Sequence, residues 1–556
     1  MKVLLLYVPL LILMLHLFTV DVVWVGYISQ TLYWSAILTL ILYLWTYRSE
    51  YKNLHTITAL LVIVYIIFLS SWSIFFFKHS ISPDVIYEHQ IVENIIASGR
   101  VGSPDTYYFA ARLYAEWPLL EIMVAIFSIT TDTGSLIVMK YLWIVFKILL
   151  VVGSLVFFKE MLKAEFRDEI AQESLSEIAL YSVVIFLASS SSIYFFSFTV
   201  KSLLSITYVV LYFVLIYKGN ATTAIILGFA MGLSHNATVY VLAISAVLWL
   251  ITATVIRSSA RGPMRKALYK TLISTATILI AIILWKAQMN LQNIVRCVIE
   301  AFMFLEQPQI ERGLRASISP IKPLIYKVLG YLGEFVLISL FVMNIKKVIY
   351  RFLESLNGKT PLSLLMLFCL TYVFAIVTMS FIVGRGVDII VRLVFYLNFI
   401  MAPYVSLLLL KLKNSYVKLH KVVLLIVLVL FLVTGIYGIV PPSVYDKNVA
   451  WSMDDPRFFL HYGNSLWHVG DYIISRKLSY PIFSIALGYY FLGGRGIPYT
   501  RLCEIENYEG TALILLRRSI EWLSDYCGIT LNLDILYKES SVVYHSGEIF
   551  LILKQQ

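Results

Sequence analysis

Two carboxylates stand four residues apart near the start of a long polar loop, in the stretch SPDVIYEHQIVENIIASGR. Asp84 and Glu88 would share one face of a helix, because positions i and i+4 are neighbours on a helix surface. Apolar residues elsewhere in the stretch give that helix a side that can rest on a bilayer. Paired carboxylates suit a general base, or ligands for a divalent metal such as Mg²⁺ or Mn²⁺. The alternative is an ordinary solvated amphipathic helix.

Aromatic residues and a further carboxylate follow in the same loop, in GSPDTYYFAARLYAEWPLLEIM. Asp105, Tyr108 and Trp117 are of the types with which proteins hold sugars. Aromatic rings present an apolar face on which a sugar ring can stack, and carboxylates accept hydrogen bonds from its hydroxyl groups. The loop is therefore a candidate sugar-binding surface. The alternative is the belt of Tyr and Trp that membrane proteins place at the membrane–water interface.

Basic residues form a second candidate group. Arg392 lies just inside an apolar run, where a charge costs up to about 2–3 kcal/mol at the helix centre, so it marks a site or pairs with another charge. With Arg385, His235 and Lys201 it would form a basic rim suited to a phosphate, which guanidinium binds in two-pronged geometry. The alternatives are an Asp388–Arg392 pair, a structural His235 and a Lys201 that extends to the interface.

Apolar helices must position these groups, because the chain of 556 residues is 60% hydrophobic and only 14% charged, with a mean hydropathy of +0.83. This composition indicates a polytopic membrane protein in a lipid bilayer. The net charge of +11 sits mainly in short loops, so it indicates orientation in a membrane and excludes a nucleic-acid partner. About 13 runs are long enough to span, and they are 3–20, 30–47, 56–77, 134–158, 177–194, 201–217, 221–234, 237–256, 270–287, 323–343, 361–383, 389–411 and 420–440.

Loop charge predicts the orientation of these spans. Loops 257–270, 344–360 and 411–421 carry four or five basic residues each and at most one acid, so all three should be cytoplasmic. Alternation then places the N-terminus inside the cell, and the loop 78–133 and the chain's end outside. This requires that the short apolar run 117–129 lies at the interface or re-enters without crossing. The N-terminal apolar run lacks a cleavage site and is predicted to be a retained span.

The last part of the chain differs in composition. Residues 441–556 are mixed polar, with a helix-like stretch from Asp471 to Lys477 and strand-like runs at 511–516 and 548–554. The sequence predicts an all-α transmembrane domain, 1–440, followed by a small extracytoplasmic α/β domain, 441–556. Cys503 and Cys527 could form a disulfide there, although spacing does not establish one.

The order of motifs in the first outer loop resembles the GT-C superfamily of polytopic membrane glycosyltransferases, and most of all its less characterised archaeal members. A span precedes Asp-x-x-x-Glu (Asp84, Glu88), then a glycine, Tyr-x-x-Trp-Pro-Leu (114–119) and a non-spanning helix that ends near TDTG. Four other segments resemble the family: 196–220, 228–249 with His235, 384–404 entered by an arginine, and 541–554. The chain departs from the mannosyltransferase Asp-Glu pair and from the oligosaccharyltransferase WWDYG signature.

The resemblance implies an extracytoplasmic, inverting transfer of a sugar from a polyprenyl (dolichyl-type) phosphate to a glycan, lipid or protein acceptor. It implies Asp84 as the general base, Glu88 as its helper or metal partner, and basic residues around the leaving phosphate. A transporter or flippase for a lipid-linked or small solute is the alternative. Such proteins carry ionisable groups at mid-membrane, and mid-span charges are few in this sequence. A third possibility is a structural envelope protein that acts through residues 441–556.

Overall fold

The computed structural model describes much of a helical core and part of a sheet. The described residues are 83–102, 117–166, 169–170, 174–189, 191–192, 195, 201–234, 236–255, 268–284, 334–356, 360–383, 387–415, 469–470, 472–478, 480–484, 500–501, 511–517, 540–546 and 549–554. The chain divides into two compact units: unit 1 is Met1–Phe76 with Ile144–Asp446, and unit 2 is Phe77–Trp143 with Lys447–Gln556. Unit 2 thus groups the predicted outer loop with the predicted tail, and the domain boundary after residue 440 stays a prediction.

Helices account for most of the described residues. In chain order they are α1 (Pro83–Ser98), α2 (Leu119–Thr131), α3 (Ser135–Glu165), α4 (Leu175–Ala188), α5 (Lys201–Tyr217), α6 (Ala221–Gly232), α7 (Asn236–Val255), α8 (Leu268–Leu284), α9 (Ile345–Leu356), α10 (Leu362–Val383) and α11 (Val387–Ser415). A further helical segment, 334–342, precedes α9. Eight predicted spans coincide with described helices. The six from 134–158 to 270–287 correspond to α3 to α8, and 361–383 and 389–411 correspond to α10 and α11.

The described helices differ in how far they could cross a bilayer, which takes about 20 apolar residues. Among the described residues, α3 is the one helix long and apolar enough to do so by length and composition. Shorter apolar stretches of 10–17 described residues also occur, among them parts of α7 and α10, whose helices have 20 and 22 residues in all. One such helix does not establish a membrane protein, so the architecture of about 13 spans stays a prediction. The predicted spans 3–20, 30–47, 56–77 and 420–440 lie outside the described residues.

Helix α3 runs parallel to α5 in unit 1. Near the start of both helices Thr207 Oγ1 is 3.5 Å from the carbonyl oxygen of Phe146. At their far ends the Tyr217 hydroxyl donates to Glu165 Oε1 at 3.3 Å. The two contacts follow the same order along both helices, which therefore point the same way.

Helix α3 also runs parallel to α11, through an aromatic core. The Phe157 ring stacks on Phe399 with centroids 4.5 Å apart, and the Phe166 ring meets Tyr404 edge to face at 5.4 Å. Phe186 of α4 packs edge to face on Phe399 at 5.2 Å. Aromatic pairs at these distances add to the stabilisation that burial provides, so this cluster holds α3, α4 and α11 together.

Helices α7 and α10 are antiparallel. Trp249 Nε1 near the end of α7 donates to Ser363 Oγ at the start of α10, at 2.8 Å. Thr238 at the start of α7 lies 3.4 Å from the Tyr372 hydroxyl, measured between hydroxyl oxygens. These directions, and the parallel directions of α3, α5 and α11, agree with the alternation predicted from loop charge. Which face is cytoplasmic stays a prediction.

Glycines permit close packing of α6 on α8. An added Cβ at Gly228 would lie 3.0 Å from Thr275 Cγ2, and one at Gly232 only 2.3 Å from Ile282 Cδ1. Two glycines four residues apart leave a flat strip on a helix, so a neighbouring helix can approach its backbone. Contacts at 228 with 275 and at 232 with 282 show that α6 and α8 are parallel.

Unit 2 contains a five-stranded mixed sheet. Its strands are β1 (Ile482–Ser484), β2 (Thr500–Arg501), β3 (Ala512–Arg517), β4 (Ser540–Ser546) and β5 (Ile549–Lys554), in the order β2-β1-β3-β5-β4. β1 is parallel to β2 and β3, whereas β5 is antiparallel to β3 and β4. The strands predicted at 511–516 and 548–554 are confirmed, and helical turns at 469–470 and 472–475 overlap the helix predicted from Asp471 to Lys477. Cys503 and Cys527 lie outside the described residues.

Candidate active site

Helix α1 in unit 2 carries the predicted acidic pair. Pro83 occupies its first position, where a fixed φ favours helix initiation. Glu88 is fully buried, on the same face as the core residues Ile91 and Val92. Glu88 therefore does not lie on a solvated face. Asp84 precedes it by one turn on the same helix, and its side chain lies outside the described residues.

Helix α2 supplies a second buried carboxylate, which sequence reasoning missed. Glu121, in the first turn of α2, is fully buried, and α2 packs against α1. The helix dipole stabilises a carboxylate near a helix N-terminus, which partly explains why a buried glutamate is tolerated in the first turn of α2. Its sequence signal was a single acid within the apolar run 117–129. As predicted, this run forms a short helix, of 13 residues, or about 20 Å, too short to cross a bilayer alone.

A hydrogen-bond network ties the exposed side of α1 to the start of α3. Ser135 Oγ donates to Glu93 Oε1 at 2.5 Å and lies 2.9 Å from His89 Nδ1. Because the serine proton goes to the carboxylate, His89 Nδ1 must be the donor in the second bond. In a catalytic triad the histidine accepts the serine proton and the acid binds the other ring nitrogen. The network therefore fixes the position of α1 and is no nucleophile site.

The other predicted residues of the outer loop are placed in part. Trp117 is 5% exposed, so it offers little ring surface to a sugar in this structure. Asp105 and Tyr108 lie outside the described residues. No group of three or more His, Cys, Asp or Glu side chains suited to a metal occurs among the residues that the structure describes. A divalent metal held by Asp84 and Glu88 stays a prediction.

The predicted basic rim belongs to unit 1 and is described in part. Lys201 begins α5 and is only 4% exposed, so it does not extend freely into lipid. Arg392 lies in α11, one turn before the buried Tyr396, and its side chain is outside the described residues. His235 and Arg385 also fall outside them. The acidic candidates lie in unit 2 and the basic ones in unit 1.

Unit 1 contains a buried polar cluster that the sequence did not predict. Asn398 Nδ2 donates to Glu334 Oε2 at 2.7 Å and to Ser191 Oγ at 3.0 Å. The amide of Ser191 lies 3.4 Å from Glu334 Oε1. Lys147, near the middle of α3, is a fully buried charged residue of the same unit. These contacts join segments far apart in the chain, so spacing alone gives no signal of them.

The chain is similar in fold to a solved structure but matches no known sequence family. No protein-family model matches the chain, and no curated protein sequence matches it. A crystal structure of the Archaeoglobus fulgidus oligosaccharyltransferase, tethered by a disulfide to an acceptor peptide containing the NVT sequon, is 12% identical. The match covers 90% of this chain and 74% of that one, with a TM-score of 0.45. A likeness this weak does not establish a family for the chain.

Proposed function

We propose that the chain is a membrane glycosyltransferase of the GT-C type that uses a sugar linked to a polyprenyl phosphate. The observation that supports this most is the complete burial of Glu88, one turn after Asp84, on a helix that packs against a short non-spanning helix. Buried carboxylates are rare because desolvation of the charge is costly, and they cluster at functional sites. The order of motifs around Asp84 and Glu88 resembles that family.

In the proposed reaction Asp84 takes the proton of the acceptor hydroxyl. The oxygen attacks the anomeric carbon from the side opposite the phosphate, and the bond between that carbon and the phosphate oxygen breaks with inversion. Arg392, assisted by Arg385, His235 and Lys201, would stabilise the charge that develops on the departing lipid phosphate. A divalent metal, where used, would be held by Asp84 and Glu88 and would polarise the hydroxyl.

Substitution of the acidic pair tests the proposal. Membrane vesicles that contain the wild-type chain and the glycan, lipid and protein acceptors of the host membrane are given dolichyl phosphate mannose and dolichyl phosphate glucose, and release of dolichyl phosphate is measured by mass spectrometry. Asp84→Asn and Glu88→Gln should lower the rate at least about a hundredfold, the usual contribution of a general base. Glu93→Gln is the matched control, because Glu93 is exposed on the same helix and a glutamine oxygen still accepts the Ser135 hydrogen bond. Wild-type rates in normally inserted Asp84→Asn and Glu88→Gln variants contradict the assignment.

Transport is a second candidate, because buried charged residues lie in predicted spans of unit 1. Lys147 and Glu334 are at most 5% exposed and lie in predicted spans, where transporters carry ionisable groups. Vesicles without acceptor discriminate between the candidates. Movement of a fluorescent polyprenyl-phosphate sugar between leaflets that is lost in Lys147→Met and Glu334→Gln favours a flippase. Sugar transfer that both variants retain, measured in separate vesicles that contain the acceptor, favours the transferase.

A further inference from the structure

Helix α9 carries an apolar stripe that is exposed in the part of the chain that the structure describes. Its sequence, IKKVIYRFLESL, places apolar residues at helical spacing, and the inner ones, such as Val348, are buried. Ile345, Ile349 and Leu353 form the outer edge of the same apolar face and are 39%, 50% and 56% exposed. Side chains of this size rarely stay in water as a continuous stripe, so another phase or molecule should cover them.

The end of α3 sets the level at which α9 lies. Helix α3 has 31 residues and is about 46 Å long, whereas the hydrocarbon core of a bilayer is about 30 Å thick. A helix of this length that spans the core therefore has at least one end at the level of the lipid headgroups. Glu169, just past that end, pairs with Lys347 and accepts a 3.0 Å hydrogen bond from Arg351. Both cations also lie over the Phe166 ring, at 4.7 and 5.5 Å. This clamp holds α9 beside the end of α3.

The exposed apolar surface continues from α9 into the preceding helical segment. Phe335, Ile338 and Val342 in segment 334–342 are exposed, as Ile345 and Ile349 are beyond the turn. Segment 334–342 belongs to the predicted span 323–343, so its exposed residues would face lipid. Exposed apolar residues on both sides of the turn are best covered by the same bilayer.

Positive charge lies beside this stripe. Lys346 is exposed and takes no part in the clamp, and Lys411 is exposed at the end of α11. Burial lowers the pKa of Lys347, and the charges of Lys411 and Arg351 lower it further against the opposing effect of Glu169. Lysines at the headgroup level attract anionic lipids, at about fivefold in affinity for each charge.

We propose that α9 is an interfacial helix that inserts Ile345, Ile349 and Leu353 into the bilayer and binds anionic phospholipid headgroups through Lys346 and Lys411. This proposal depends on the predicted membrane architecture and not on sugar transfer. The interfacial helix and the proposed glycosyltransferase function can therefore be refuted independently. The helix would give the chain a membrane contact that depends on lipid composition, on the face predicted to be cytoplasmic. Lipid composition would then set the stability of unit 1 through the clamp at Glu169.

Spin labels test the apolar half of the proposal. Ile349→Cys is labelled with a nitroxide in a chain whose four cysteines are replaced, and the protein is placed in nanodiscs. Collisions with oxygen should exceed those with a water-soluble nickel chelate, as at Ile226→Cys on the exposed face of α6. Lys218→Cys, in the exposed turn after α5, is the aqueous control. An aqueous signal at 349 overturns the proposal, and protection from both reagents overturns it in favour of a protein partner.

A lipid titration tests the charged half and needs no cysteine replacement. The unfolding temperature is followed in nanodiscs with rising phosphatidylglycerol in phosphatidylcholine. Lys346→Gln with Lys411→Gln should weaken the apparent affinity about 25-fold, from about fivefold for each charge. Arg100→Gln, exposed after α1, should leave it unchanged. Equal stability of all variants in pure phosphatidylcholine shows that they fold, and an unchanged lipid affinity in the double variant contradicts the proposal.

Discussion

The contact between α6 and α8 yields a double-mutant prediction for the packing of unit 1. A Cβ added at Gly232 would lie 2.3 Å from Ile282 Cδ1 but 3.4 Å from Leu279 Cδ2 and 3.7 Å from Ile282 Cγ1. The conflict is thus confined to one terminal methyl group. Gly232→Ala should cost about 1–3 kcal/mol for overpacking and regain up to about 1 kcal/mol because alanine favours a helix. The expected net loss of stability is about 0–2 kcal/mol.

Ile282→Val removes the conflicting Cδ1 methyl and nothing else. Alone it should cost about 1 kcal/mol, since it leaves a small cavity against Gly232. Together the two changes should nearly cancel, because the alanine methyl fills the space that Cδ1 leaves. The double-mutant cycle should therefore show a coupling of about 1–3 kcal/mol in favour of the pair, within the range for residues in contact.

Unfolding in mixed micelles of increasing sodium dodecyl sulfate content, followed by tryptophan fluorescence, measures the four free energies of the cycle. Gly134→Ala is the matched control, because an added Cβ at Gly134 meets no atom within 4 Å. It should show no coupling with Ile282→Val. If the effects of Gly232→Ala and Ile282→Val simply add, α6 and α8 do not pack as described and the parallel arrangement inferred from the glycines is wrong.

Three further predictions concern polar contacts. Asn398→Leu removes an amide that donates to Glu334 and should cost about 1.5–3 kcal/mol in the same unfolding measurement, with Asn398→Gln as a partial rescue. Glu169→Gln should cost about 1 kcal/mol after solvent screening. Burial raises the pKa of Glu169, but its hydrogen bonds and ion pairs with two cations on α9 lower the pKa overall. The stability that Glu169 contributes should therefore be present above about pH 4–5 and be lost as the pH falls further. An acid transition at the same pH in the wild-type chain and in Glu169→Gln contradicts the prediction. Ser135→Ala removes the bond to His89 and should increase hydrogen exchange in α1 but not in α10.

Apolar run lengths predicted the helices of unit 1 well. The predicted span 201–217 has the bounds of α5, and the split of 221–256 into two short helices around residue 235 matches α6 and α7. Such runs are informative because each helix carries apolar side chains on all of its faces. The predicted span 134–158 ends seven residues before α3 does, since charged residues at 159, 160 and 163 interrupt the apolar run without breaking the helix. Polar residues at a helix end carry little signal of where it stops.

Short elements and tertiary contacts could not be read from the sequence. Strands β1 and β2 have three and two residues, too few for an alternating pattern to show. Helix α9 was treated only as a charged loop, because its basic residues outweighed its apolar spacing. Ser191 lies 143 positions before Glu334, and Asn398 lies 64 positions after it. Only the fold brings these three residues together.

The buried carboxylates of the two units should have different roles, structural for Glu334 in unit 1 and catalytic for Glu88 in unit 2. This difference distinguishes the transferase interpretation from the transporter interpretation. Glu334 is held by hydrogen bonds from Asn398 and lies near Ser191, so neutralising it should change the free energy of unfolding. Glu88 lies in the helix pair beside the proposed base, so neutralising it should change turnover per folded molecule. A transporter requires the reverse, since its mid-membrane charge must bind and release cargo or a coupling ion. Turnover that depends on Glu334 and not on Glu88, at equal stability, therefore refutes the transferase interpretation.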